Sequence, residues 1–468
     1  MKKFNLYTFL VIFFVFLVSC EDELYQDPIT DKSVDNFFKT EMEIEEAVNG
    51  VYAKLQAGSL YGLYLPIIGE IPSDNTFDEV PANDGGNYGQ LDEFTTITTN
   101  SLITNIWEKS YQGIQRANTL LNRIGDVSFE DDLVKASRLG EMQFIRAILY
   151  FNLVRLYGNV PLVTDETTNP NDYFGQDRTA VDQVYNQIIT DLEAAIQNLP
   201  TSQPETGRIR KTAAQALLGK VHLTLKNYND AVTILNEVKN SGQHQLLEEP
   251  ADVFSLDNEN NEEIIFNVEF ASSLNGNDEG SNMFQQTSPS GTVNGAKGHN
   301  LPTTSLYNLY EENDKRFQAF MGLTSEGIPF SNKLKEPSGE PSDGGSNIIV
   351  IRYADVLLML AESHNELNQT SEALENLNLV RSRANITEYE SIAQDEIRTA
   401  IELERRLELV SEGHRWFDLL RTGKAISVMN QWFSDQGINI SIDQNDLLMP
   451  IPQSQIDTDP AIVQNPGY

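Results

Sequence analysis

One cysteine, Cys20, occurs in 468 residues, so no disulfide within the chain can brace the fold. Tryptophan is almost as scarce, with Trp107, Trp416 and Trp432 making up the three, and histidine numbers five. The sequence contains no HExxH, no paired Cys/His metal spacing, no phosphate-cradling glycine loop ahead of a helix and no G-x-S-x-G. Gly85-Gly86-Asn87-Tyr88-Gly89 is glycine-rich, but it follows no strand, carries no lysine and reads as a turn. The acidic run from Asp257 to Glu263 lacks the glycine and spacing of an EF-hand loop. No catalytic residue, metal or cofactor is therefore expected. Cations are also short: 33 Lys and Arg face 69 Asp and Glu, for a net charge of −36. Such a surface repels nucleic acid. The acidity is spread along the chain, without the single-sign run that marks a disordered tail.

The unbroken apolar run Phe9 to Val18 is too short to span a bilayer comfortably and follows a basic Lys2-Lys3 pair. Residues 1–19 are thus expected to be a signal peptide. Leu17-Val18-Ser19-Cys20 resembles a bacterial lipobox, in which the cysteine becomes the lipidated first residue of the mature protein. Residues 20–35 read as a tether, with an acyl anchor in place of a spanning helix.

Beyond the tether, Ser33 or Asp35 is placed to cap a first helix carrying Ile44, Val48, Val51, Tyr52 and Leu55 on one stripe. From Gly58 to Asn100 Gly, Pro, Asn and Asp crowd together without a helical period, too long a stretch for a mere connector. Helical spacing returns from about Leu102 to Ile124, from Leu133 to Tyr157 and from Ala180 to Leu199. Gly219 and Ala231 are then matched at the same interval by Ala361 and Ala373, each followed by Leu and Val at equal offsets. This resembles the tetratricopeptide repeat, whose small residues sit where two antiparallel helices touch. The expected fold is mainly α: a tetratricopeptide-like scaffold of about four helix pairs, with loop-rich insertions carrying short β-strands. A strand is expected around Glu262–Phe270, inside a polar, loop-rich segment 248–346.

The stretch Glu404 to Lys424, ERRLELVSEGHRWFDLLRTGK, concentrates charge around a tryptophan. One helix is expected to run to Gly413 and a second to Gly423, with the glycines at their C-caps. Arg415, Trp416, Asp418 and Arg421 could pass for an active site, yet no nucleophile or partnered base accompanies them. They read as structural, as does Trp107 within its apolar helical stripe.

Four features together resemble the SusD/RagB family: the lipobox at Cys20; the Trp107-Glu108-Lys109-Ser110-Tyr111 helix leading to Ala117-Asn118; the Glu404–Lys424 stretch; and the ending Met449-Pro450-Ile451-Pro452 through Asn465-Pro466-Gly467-Tyr468. Gln455 and Asp459 stand where that family often has Glu and Asn. The resemblance spans essentially the whole chain and divides it into an N-terminal helical region, 36–246, with its insertion 58–100, and a C-terminal region, 247–468. The latter holds the insertion 248–346, the last repeat pair 353–384 and the motifs of 404–468. The resemblance implies a surface lipoprotein of the bacterial outer membrane that captures nutrient and passes it to a SusC-like TonB-dependent transporter barrel. Glu21, Asp22 and Glu23 after Cys20 resemble the signal that sends such lipoproteins to the outer face, although a solvated linker would look the same. Many members bind glycans and RagB-like members bind peptides; a tetratricopeptide adaptor for protein alone is a further reading. A glycan site needs aromatic faces beside amides and carboxylates. On that chemistry the candidates are Asp74, Asn75 and Tyr88 in the first insertion, Phe284 and His299 in the second, and Trp432.

Overall fold

The structure, a computed structural model, describes residues 37–169, 171–203, 205–274, 279–334 and 339–468. The leader, Cys20, Ser33 and Asp35 lie outside the described residues.

Eight helices form the scaffold: α1 (Glu41–Leu55), α2 (Ser101–Arg123), α3 (Asp132–Tyr157), α4 (Val181–Asn198), α5 (Lys211–Thr224), α6 (Tyr228–Asn240), α7 (Tyr353–Glu366) and α8 (Thr370–Arg383). Each packs on the next in chain order, from α1 on α2 through α6 on α7 to α7 on α8, giving four stacked pairs. The array buries one continuous apolar core, as stacked repeats must. Its first helix starts at Glu41 because Thr40 caps it: Thr40 Oγ1 accepts from Glu43 N, and Glu43 returns a carboxylate to Thr40 N. Asn100 and Asp131 cap α2 and α3 in the simpler way, accepting from the first free backbone donors. At the end of α3, Gly158 takes φ +71° and turns the chain away.

The repeat signal has a physical cause. A Cβ on Gly219 would lie 2.3 Å from Leu235 Cδ2 and 2.4 Å from its Cγ, so α5 and α6 can approach only because that Cβ is missing. Ala231, Ala361 and Ala373 are wholly buried at the matching places of the two pairs. Gly219→Val is expected to cost about 1–3 kcal/mol by overpacking. Gly58→Ala, whose Cβ meets nothing within 4 Å, is the neutral control. Denaturant midpoints of the two variants check this.

Two insertions leave the array. The first, between α1 and α2, contains short helices Tyr64–Ile68 and Asn87–Asp92 that its composition does not announce. The second, between α6 and α7, supplies β1 (Ile264–Val268), which pairs antiparallel with β2 (Ile348–Arg352). The two insertions also meet directly, Thr76 pairing with Pro302 and Phe77 with Leu301.

After α8 come α9 (Gln394–Glu408), α10 (Arg415–Thr422) and α11 (Ala425–Gln436). The helix expected to reach Gly413 ends at Glu408 instead. The chain leaves helical geometry there to bring Glu412 against Arg352 and Lys333, and the amides of Gly413 and His414 onto Glu70. Gly423 does terminate α10, at φ +73°.

Candidate functional site

Glu404–Lys424 forms the hub to which both insertions are fastened. Glu408 is wholly buried and takes three guanidinium groups: Arg352 Nη1 at 2.6 Å, Arg316 Nη1 at 3.1 Å and Arg383. Arg316, from the second insertion, also reaches Glu404 at 2.5 Å and Asp314 at 2.8 Å. Lys333 of the same insertion donates to Glu408 O at 2.8 Å and pairs with Glu412 at 2.6 Å. On the scaffold side, Arg405 pairs with Asp355 and with Asp418, both at 2.9 Å, and Arg421 bridges Asp418 and Glu362. Burial alone would raise the Asp418 pKa, but Arg405 and Arg421 hold it well below the usual carboxylate range.

The first insertion is fastened by Asp74 and Asn75. Arg415 Nε donates to Asp74 Oδ1 at 2.8 Å, and Arg406 Nη2 lies 3.0 Å from Asp74 Oδ2. Arg406 Nε donates to Asn75 Oδ1 at 2.6 Å, while Asn75 Nδ2 donates to Glu70. Asp74 is 4% exposed and Asn75 1%, so neither side chain faces solvent. Burial lifts Glu70 to about 7 despite the backbone donors of the 413–415 turn and the Asn75 amide.

Above this base the insertions form a single rim. His299 is wholly buried, its Nδ1 2.9 Å from Asp78 Oδ1 and its Nε2 2.9 Å from Asp84 Oδ2. Tyr88 stacks on the imidazole at 3.8 Å between centroids, and Tyr64 meets Tyr88 edge-on at 6.4 Å. Asp84 adopts φ +49°, a left-handed conformation uncommon outside glycine, and is followed by Gly85 and Gly86 at φ +71° and +75°. Although burial works the other way, hydrogen bonds from His299 and Lys297 hold Asp84 below its ordinary pKa. Gly298 O accepts from Glu79 N, and Glu79 Oε2 from Ser290 N, which closes the rim. Phe284 stands half-buried on the short helix Met283–Thr287 beside it, where Gln285 O accepts from Lys297 N.

Tyr88, His299, Asp74 and Asn75 are thus brought together as buried supports, with Phe284 nearby and part-exposed. Trp432 lies elsewhere, in a cluster around Trp416, Leu419, Met429, Phe433 and Ile442. Trp107 is 2% exposed, edge-on to Tyr157 at 5.0 Å. The rim groups that sequence reasoning passed over are the exposed Asp84 and the half-buried Asn87 and Lys297; the DGGN turn is the signal for the first two, and Lys297 carries none. No group of three or more His, Cys, Asp or Glu side chains suited to a metal ion occurs among the described residues.

The SusD family profile matches residues 324–468, and a second, described as SusD-like and "Starch-binding associating with outer membrane", matches residues 25–223. A solved structure named as a laminarin-binding SusD-like protein superposes with a TM-score of 0.79 at 30% identity, covering 92% of this chain and all of that one. This chain belongs to the SusD family. SusD-like protein P25 of Formosa agariphila is 28% identical over 98% of this chain and 99% of its own length. The surface glycan-binding protein A of Bacteroides thetaiotaomicron, solved with laminarihexaose, shares the fold at a TM-score of 0.76 and 22% identity, over 91% of this chain and all of its own. The helical array is therefore the tetratricopeptide-like scaffold of SusD-like proteins.

Proposed function

We propose that this SusD-family chain is a non-catalytic, lipid-anchored surface protein that binds a nutrient glycan and delivers it to a SusC-like TonB-dependent barrel. The observation that carries the reading is the rim where the two insertions lock together. It combines aromatic rings, amides and charged groups on a rigid base, the chemistry a sugar's C–H faces and hydroxyls require. In this reading Asp74, Asn75, Tyr88 and His299 hold the rim in place. Phe284, Asp84, Asn87 and Lys297 meet the ligand. The laminarin-binding relative at 30% identity makes a β-glucan the first probe.

Laminarin in a native gel is expected to retard the protein without release of reducing sugar. Phe284→Ala is expected to weaken binding roughly tenfold with an unchanged melting temperature, the loss of a stacked aromatic contact. Retardation by no polysaccharide, together with heterogeneous peptides co-purifying in mass spectra, would replace the glycan with a peptide ligand. Steady release of reducing sugar would overturn the non-catalytic reading.

A further inference from the structure

A cavity of about 50 Å³ lies where α3, α5, β2 and the turn at 412–414 converge. Arg155, Lys220 and His414 line it, together with Asn152, Tyr61 and apolar groups such as Ile351. The Arg155 guanidinium is clamped between Phe151 and Phe417, 3.9 Å from each ring centroid. Its Nε donates to Phe151 O at 3.0 Å and its Nη2 to Asn152 Oδ1 at 2.6 Å, while Nη1 has no hydrogen-bond partner among the described residues.

No carboxylate forms an ion pair with Arg155 among the described residues, although Asp418 acts on it at longer range to favour its charge. Asp418 serves Arg405 and Arg421, Asp355 serves Lys220 at 2.8 Å and Arg405 at 2.9 Å, and Glu362 serves Arg421. Glu412, which also lines the cavity, serves Lys333 and Arg352. His414 contributes no negative charge. Its Nδ1 lies 3.3 Å from Lys220 Nζ, and burial, followed by the Lys220 charge, pushes its pKa down to about 3, so it is neutral and accepts from the ammonium. Burial also pulls Arg155 down to about 10, which leaves it charged at neutral pH. Lys220 and Arg155 lie close enough to repel each other. Arg155 and Lys220 are half-buried rather than sealed from solvent, and the faces of Phe151 and Phe417 offset part of the charge, yet a half-buried cation with no carboxylate paired to it favours an anion at its open side.

We propose that this cavity binds one small inorganic monoanion of chloride size between the Arg155 guanidinium and the Lys220 ammonium. The volume suits a halide or a few waters, and only the halide balances the charge. Bound there, the ion would join α3 and α5 to the turn that carries Glu412 and His414, making the junction of scaffold and hub halide-dependent.

Bromide is the probe. Crystals grown in sodium bromide, measured above the bromine absorption edge, are expected to show an anomalous peak between Arg155 and Lys220. In solution, exchanging gluconate for chloride at constant ionic strength is expected to raise the melting temperature by about 1 °C per tenfold chloride above the dissociation constant. Arg155→Met, with helical circular dichroism retained, is expected to lose the chloride-specific part of that rise. If that variant does not fold, the wild-type crystals decide alone. Water density without anomalous signal at Arg155, or bromide at exposed positions as an adventitious ion only, would overturn the proposal.

Discussion

Glu408→Gln is expected to destabilise the fold by about 3–5 kcal/mol, the effect of leaving buried charges without their partner. Glu408 is, among the described residues, the one carboxylate shared by Arg316, Arg352 and Arg383. Arg383 would retain only Glu263, at 3.1 Å, and Arg316 would retain Glu404 and Asp314. Glutamine keeps the shape and removes the charge, so the loss reads electrostatics rather than a cavity. A urea midpoint unchanged from wild type would show that the remaining acids re-form a balanced network. The same cluster sets a pH dependence. Burial raises the Glu412 pKa, but Arg352 and Lys333 outweigh it and hold the folded-state value at about 2, against 4.5 ordinarily. Between those values the unfolded chain binds more protons than the folded one. The stability Glu412 contributes is therefore complete above pH 4.5 and drains away as pH falls through 2. Glu408 is held low by its arginines against burial and acts in the same direction. Urea midpoints measured down through this range should fall steeply, and less steeply in Glu412→Gln.

Trp416→Ala is expected to cost about 3–5 kcal/mol, as for a wholly buried aromatic. The ring is 0% exposed and packs among Leu419, Ala425, Met429, Phe433 and Ile442, with Phe94 of the first insertion edge-on at 5.7 Å. Its backbone N–H donates to Gly69 O at 2.8 Å, so the residue joins α10 to the first insertion twice. Phenylalanine at this position should recover part of the loss. A Trp416→Ala protein with the wild-type denaturation midpoint but no glycan binding would move the tryptophan from architecture to ligand site.

The scaffold was legible because each helix pair leaves a local mark. Gly219 opposite Leu235 and the alanines of α7 and α8 are small for one reason, close helix approach, and spacing alone exposes that reason. The hub was less legible. The charges of α9 look like pairs along one helix, whereas Glu404 and Glu408 are met by Arg316 from 88 and 92 positions away. β2 went unforeseen because IIVIR runs straight into the apolar pattern of α7. Asp74 and Asn75 look like any polar loop residues in composition. The apolar run Leu63–Ile68 just before them, mostly buried, was the signal that their loop turns inward. Tyr88 and His299 were singled out for sugar-contact chemistry, but the stacking that joins them across the insertions has no trace in either segment alone.

The interior ion pairs also shape what the outside of the molecule can attract. Arg146, Arg316, Arg352, Arg383 and Arg405 are spent on buried partners, withdrawing them from a chain already short of cations. The excess of acids is left to the outer skin, where its field reaches about 10 Å at ordinary ionic strength. Sulfated or uronic-acid polymers would meet repulsion over most of that skin, with Lys297 one of few attractive points at the rim. Uncharged polysaccharides would approach freely. Lowering the salt should therefore leave capture of a neutral glucan unchanged while suppressing any residual affinity for a polyanionic one.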